Sequence, residues 1–170
     1  MTPKPLDPLM PDFRAAMRRV ASTVTVITTA DAAGQRHGIV ATAVSSVTMD
    51  PPTLLICVNR SASLYAPLIK RGQFCINVLM AHQHDLVADF SGQKVGDARF
   101  DTGDWRLDDT TGLPYLHGAQ CNLFCRVDWV TSVSTHSVII AAVDSVQMNG
   151  AVAPLLYADG GLRALGNAVP

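Results

Sequence analysis

"GIVATAVSSVTMDPP", Gly38 to Pro52, decides how this chain folds. The stretch alternates like a strand, yet it offers almost only small side chains, Ala41, Thr42, Ala43, Ser45 and Ser46, before Val47. A strand in a core wall normally carries Leu, Ile or Phe, because protein interiors are packed as densely as organic crystals. Two readings satisfy the pattern: a helix packed closely on the strand, or a ligand that takes the place of large side chains.

Working outward, Asp50-Pro51-Pro52 ends the strand, and "TLLICV" reads as a buried strand behind it. Next comes a polar cluster, Asn59, Arg60, Ser61, Ala62 and Ser63, at the junction with a helix expected after Ser61 or Ser63. That helix should bury Leu64, Tyr65, Leu68 and Ile69 and stop at Gly72. Hydroxyls, backbone N–H groups and the positive end of a helix dipole together suit a phosphate. Helix capping by one of the two serines would account for part of the same pattern. A later polar, Gly-rich loop, "SGQKVGDARFDTGDW", supplies Lys94 and Arg99, cations able to close over the same anion. A small-walled strand beside an anion-binding corner suits a planar ring with a phosphorylated tail.

The remaining segments are mostly strands. "VTVITT" runs into the "DAAGQRHG" turn, "FCINVL" reads as buried, and the last third offers "CNLFCRVDWVTSV", "HSVIIAAVDSVQ" and "PLLY". A short helix behind Asp12 as N-cap places Phe13, Ala16, Met17 and Val20 at helical spacing, and "HQHDLVADF" reads as another. Many strands, few short helices and no βαβ rhythm predict a mainly β antiparallel barrel with helical decorations. We divide the chain into a Pro-rich lead-in over residues 1–11 and one domain over residues 12–170, with no repeat or linker.

Composition narrows the function. At 170 residues the chain can bury roughly 70% of its unfolded surface. A hydrophobic share of 48%, only 16% charged residues and a mean hydropathy of +0.22 point to surface covered by a partner subunit. Thirteen basic residues against 14 acidic ones leave no basic field for nucleic acid. The longest apolar runs fall short of the roughly 18 residues of a membrane span. The start of the chain lacks the pattern of a secretory signal, so a cytoplasmic location is expected. Cys57, Cys75, Cys121 and Cys125 sit in apolar strand-like runs and read as buried small hydrophobes, not as a zinc site or disulfides.

His136, in "SVSTHSVII", heads a strongly apolar strand. It is either a satisfied structural residue or a group that orients a redox partner near neutral pH. His37, His82, His84 and His117 have no companions at metal-ligand spacing, so no metal is expected. A G-x-G-x-x-G phosphate loop and a G-x-S-x-G nucleophile are both absent from the sequence.

"FRAAM", "TVTVITT", "HGIVATAVSSVTMDPPTLLICVNRSAS", "FCINVL", "LVADFSG", "GLPYLHGAQCNLFCRV" and "STHSVII" follow one another in an order and spacing that span most of the chain. In these pieces the chain resembles the flavin reductase-like family, the small reductase components of two-component flavin-dependent monooxygenases. The nearest subgroup looks like the reductases that serve hydroxylases of 4-hydroxyphenylacetate and related phenols. The resemblance implies a homodimeric split β-barrel that binds FMN or FAD and uses NADH or NADPH. It further implies that reduced flavin passes to a separate oxygenase component. Ala41, Thr42, Ala43, Ser46 and Val47 would then face the flavin ring, while Asn59, Arg60, Ser61 and Ser63 would hold its phosphate end. Phe90, Lys94 and Arg99 would close over it, and His136 would place the nicotinamide. A reductase with a dedicated acceptor, such as a corrinoid, and a flavin-binding barrel without turnover are the alternatives. Three features depart from the family pattern: Val40 where Thr is usual, Ser134-Thr135 where Gly-Asp often precedes the histidine, and a C-terminal "YADGGLRAL" without the usual aromatic and basic-aromatic residues.

Overall fold

Seven antiparallel strands make the main sheet of the computed structural model, which describes residues 7–150 and 152–166. In chain order these are β2 (Thr25–Ala30), β3 (Arg36–Ala41), β4 (Val44–Met49), β5 (Pro52–Asn59), β6 (Gln73–Val78), β9 (Cys121–Val133) and β10 (His136–Met148). Their spatial order is β3-β2-β6-β9-β10-β5-β4. Consecutive strands β3 and β4 therefore stand at opposite edges of the sheet.

The two-residue link between them shows how the edges meet. The Thr25 hydroxyl of β2 donates to the Ala41 carbonyl at 2.7 Å, and the Cys57 N–H of β5 donates to the Ala43 carbonyl at 3.1 Å. Residues two apart are thus tied to strands from the two ends of the sheet. The sheet curls into a barrel that stays open along this seam, a split β-barrel as expected. Gly38 to Met49, read from sequence as one strand, is two, broken at Thr42–Ala43 without Gly or Pro to announce it.

The barrel core follows the period-2 rule. Leu54, Ile56 and Val58 of β5 point inward against Ile27, Phe74, Ile76, Ile139 and Ala141, all buried. α2 (Tyr65–Arg71) caps this core with Leu68, and Leu64 just before it is also fully buried. Gly72 ends the helix at φ 70°, a left-handed position that glycine takes without a Cβ clash. The expected burial of Ile69 is corrected: it faces outward, and Tyr65 is half-buried with its hydroxyl 2.9 Å from Ser137 Oγ.

A second layer closes one end of the barrel. β1 (Ser22–Thr23) pairs with β11 (Leu155–Ala158), which forms a hairpin with β12 (Gly161–Ala164), a strand that the sequence reading left out. β7 (Trp105–Leu107) and β8 (Pro114–Leu116) form another small hairpin. The buried Asn77 amide joins these parts. Its Oδ1 accepts from the Leu116 N–H at 2.7 Å and from Asn122 Nδ2 at 2.8 Å, and its Nδ2 donates to the Val26 carbonyl at 2.8 Å. Such a satisfied buried amide fixes β8 against β2, β6 and β9.

Three further readings are corrected. The N-terminal helix, α1 (Met10–Met17), begins before Asp12, which lies in its first turn, and Leu9 is the N-cap. Its apolar residues Phe13 and Met17, together with Val20 beyond its end, are exposed. Of the Pro-rich lead-in, residues 1–6 lie outside the described residues. The loop after Phe90 is partly helical, with turns at Asp89–Gln93 and Gly96–Phe100. Cys75 and Cys125 are buried as expected, whereas Cys57 and Cys121 are only half-buried; all four thiols are free. Burial pushes the Cys125 thiol up to about 12 and raises that of Cys75 well above its ordinary value.

Candidate functional site

The seam between β3 and β4 opens into a groove of about 470 Å³. Its floor runs from Ile39 through Ala43 and is small from Ala41 on, so the space in front of the opening stretch is a cavity and not a close-packed helix. That volume falls within the range of small-molecule sites. Cys57 and Asn59 of β5 form one wall, and His136 enters from the start of β10 directly opposite Asn59 in the strand register.

The polar cluster behind β5 forms one end of the groove. Asn59 Oδ1 accepts from both the N–H and the hydroxyl of Ser61, at 3.0 and 2.9 Å, a turn closed on itself. Neither Ser61 nor Ser63 caps α2: Leu64 is its N-cap and no side chain bonds there. Ser63 instead accepts a hydrogen bond from Arg99 Nη1 at 3.0 Å. The same nitrogen donates to the Gly38 carbonyl at 2.9 Å, and Arg99 Nε donates to the Lys94 carbonyl at 3.0 Å. A guanidinium is therefore held beside a hydroxyl at the groove's polar end, an arrangement that fits a phosphate.

The other wall is the segment after β6, carrying Phe90, Ser91 and Gly92. Phe90 is locked by Phe100 and Trp105, with ring centroids 5.1 and 5.2 Å away. Its ring lies against Gly38, where an added Cβ would stand 2.5 Å from the ring edge. Glycine is required there for space, since its φ is ordinary. Two ion pairs tie the segment down. Lys94 Nζ reaches Asp89 Oδ2 at 3.0 Å and the Thr102 hydroxyl at 3.1 Å, and Arg36 grips Asp97 through two nitrogens while its guanidinium lies 4.5 Å over the Phe100 ring. Burial pulls the Asp89 carboxyl upward, but the bonds from Lys94 and Thr102 outweigh this and hold it below the usual carboxylate range. The Arg36 guanidinium does the same for Asp97.

Of the residues nominated from sequence, the groove brings together Ala41, Thr42 and Ala43, then Asn59, Ser63, Phe90, Arg99 and His136. Five stand elsewhere. Ser46 and Val47 lie exposed on β4, and Ser61 closes its turn on Asn59. Arg60 reaches across to the Ser134 carbonyl, and Lys94 is occupied by Asp89 and Thr102. The groove also contains Cys57, Ala62, Ser91 and Gly92, which sequence reasoning missed. Period-2 alternation from Asn59 names Cys57, and Ser91–Gly92 directly follow Phe90.

A second hollow, about 320 Å³, continues from the groove across Val40, Ala41, Thr42 and Ser91. Its far wall is the β11–β12 hairpin, with Tyr157, Gly161 and Leu162. The hairpin turns at Asp159–Gly160, both at positive φ (50° and 75°). Arg18 holds this turn: its carbonyl accepts from the Asp159 N–H, and its guanidinium lies where a Cβ on Gly160 would be.

A split barrel with a small-floored groove along its seam and a cationic corner at one end defines a class of nucleotide-cofactor-binding domains. The model of the flavin reductase like domain matches residues 17–166, and the chain belongs to that family. Among curated relatives, the "FMN reductase (NADH) RutF" of Variovorax paradoxus is 41% identical over 159 residues, covering 92% of this chain and 87% of the relative. A Streptomyces globisporus NADH:FAD oxidoreductase, solved in complex with NAD and FAD fragments, aligns with a TM-score of 0.85 at 27% identity, covering 96% of this chain and 98% of its own. The flavin reductase component of a bacterial two-component tryptophan halogenase aligns at 0.84 with 25% identity, over 94% and 99%.

Proposed function

We propose that this chain is an NADH:FMN oxidoreductase whose seam groove receives the flavin and releases it reduced to a separate oxygenase. The observation that carries the reading is the pairing of a floor of small residues, Ala41–Ala43, with the Arg99–Ser63 corner. Such a floor admits a planar ring at van der Waals distance, and the corner supplies cationic and hydroxyl donors for one phosphate. FMN and NADH are the pair named for the curated relatives, and FAD is named for one structural neighbour.

When bound together, NADH supplies hydride and the flavin ring accepts it; the protein orients and shields the two rings. Ala41, Thr42 and Ala43 set the ring's height through backbone and small-side-chain contact. Ser63 and Arg99 hold the phosphate, the turn between Asn59 and Ser61 shapes the corner around them, and Arg60 ties that turn to the Ser134 carbonyl. Phe90 closes the wall, Lys94 braces it through Asp89, and Ser46 and Val47 continue the exposed β4 surface beyond the floor. His136 places the nicotinamide from the opposite edge.

An open, noncovalent groove suits a flavin that departs as product. The exposed apolar residues Trp129, Val133 and Met148 on the long β9–β10 pair, with Phe13 and Met17 of α1, suit a homodimer. Four free thiols, with no described helix long and apolar enough to cross a membrane, suit a cytoplasmic enzyme.

The test mixes protein-bound FMN with NADH without oxygen and then separates protein from free flavin by ultrafiltration. Reduced FMN in the filtrate is expected from the wild type. His136→Ala should reduce it far more slowly while keeping most of its FMN affinity. Flavin that stays oxidised in the wild type, or an unchanged rate in the variant, contradicts the reading of groove or histidine respectively.

A further inference from the structure

The turn that presents His136 carries three hydrogen bonds. β9 ends at Val133 and β10 begins at His136, so only Ser134 and Thr135 separate the strands, with Ser134 in the left-handed region at φ 51°. A side chain on so short a turn needs external support to keep one orientation. Arg60 supplies it from the end of β5: its backbone N–H donates to the Thr135 carbonyl at 3.0 Å, and its guanidinium donates to the Ser134 carbonyl. On the turn thus held, the Thr135 hydroxyl lies 2.8 Å from His136 Nδ1.

Resting on the reading of His136 as the residue that places the nicotinamide, we propose that Thr135 is a positioning residue that fixes the His136 tautomer. In this arrangement the hydroxyl is the donor and Nδ1 the acceptor across their 2.8 Å contact, which puts the proton of the neutral imidazole on Nε2. With Nδ1 engaged at the turn, Nε2 is the nitrogen left for a ligand in the groove, and it presents an N–H. A donor in that place matches the carbonyl of a carboxamide. The opposite tautomer would offer a lone pair to the same oxygen and repel it. Arg60 acts one step further back, by holding the turn, which accounts for its distance from the groove lining.

The experiment compares the full-length wild type with Thr135→Val and Thr135→Ser. Nitrogen-15 NMR of the imidazole ring at alkaline pH reads the tautomer, and steady-state kinetics read the KM for NADH and for FMN separately. The wild type should show Nε2–H. Thr135→Val should give a mixture of tautomers, with the KM for NADH raised roughly three- to tenfold and that for FMN within about twofold, the range of one hydrogen bond. Thr135→Ser, which keeps the hydroxyl, should restore both. A wild-type ring protonated on Nδ1, a tautomer indifferent to Thr135→Val, or equal impairment of both variants would overturn the proposal. The NMR needs no turnover, so a wild type that fails to reduce flavin with NADH discredits the functional reading separately, while the spectrum still decides the tautomer.

Discussion

Arg99 and Ser63 meet at 3.0 Å across the mouth of the groove, one from the helical segment after β6 and the other from the approach to α2. Neither is set by its neighbours in sequence; the Gly38 and Lys94 carbonyls aim the guanidinium. A phosphate replacing Ser63 as partner would find Arg99 already oriented. Arg99→Ala should therefore weaken FMN binding roughly 10- to 100-fold, the size of a charge-assisted hydrogen bond, and leave riboflavin, which has no phosphate, little changed. Fluorescence titration with both flavins measures this. Equal losses for the two would show that Arg99 acts on the wall and not on the phosphate.

Gly38 is needed for the space it leaves. A Cβ there would press on the Phe90 ring at 2.5 and 2.8 Å, and that ring is held by Phe100 and Trp105. Gly38→Ala should cost about 1–3 kcal/mol in denaturant unfolding, as overpacked cores do, and weaken FMN binding by moving Phe90. Wild-type stability and affinity in this variant would mean that the ring yields freely.

The cysteines divide by position. Burial raises the thiols of Cys75 and Cys125, the latter to about 12, so at pH 8 almost no thiolate exists on either. Cys57 lines the groove. Mass spectrometry after brief maleimide treatment should find Cys57 labelled in free protein and protected by FMN, with Cys75 and Cys125 labelled only after denaturation. Labelling of Cys57 indifferent to FMN would place the flavin elsewhere.

Asp89 and Lys94 couple the wall to pH. The folded state lowers the Asp89 carboxyl, so its pairing with Lys94 contributes stability above the unfolded carboxylate value of about 4, and loses it as pH falls through the lower folded value. The stability gap between wild type and Asp89→Asn should hold from pH 8 down to about 5 and close only under more acid conditions. Thermal melts across that range test it, and a gap that closes near neutrality would refute the assignment.

Strands and small residues were legible in the sequence because both signals are local. Alternation marked β5 and the apolar runs marked β9 and β10, and the shortage of bulk from Ala41 to Ser46 pointed to a cavity that the β3–β4 seam supplies. α2 ends at Gly72 because only the chain's local geometry is involved. What escaped was non-local. The break at Thr42–Ala43 arises from the two sheet edges meeting, and no turn residue encodes it. α1 carries an amphipathic pattern, but nothing within the described chain covers Phe13 or Met17. Arg60 and Lys94 read as phosphate partners from their places in a polar cluster and a Gly-rich loop and from the family resemblance, whereas the course of two loops gives them Ser134 and Asp89 as partners. β12 could have been found: Asp159-Gly160 between Leu156-Tyr157 and Leu162 is a hairpin signal in plain view.

Flavin reduction in the seam groove is read from steady-state consumption of NADH by the purified chain with FMN in excess. Many turnovers per protein molecule, dependent on added FMN and saturable in it, are expected. NADH consumption that is absent, or indifferent to FMN, would contradict it.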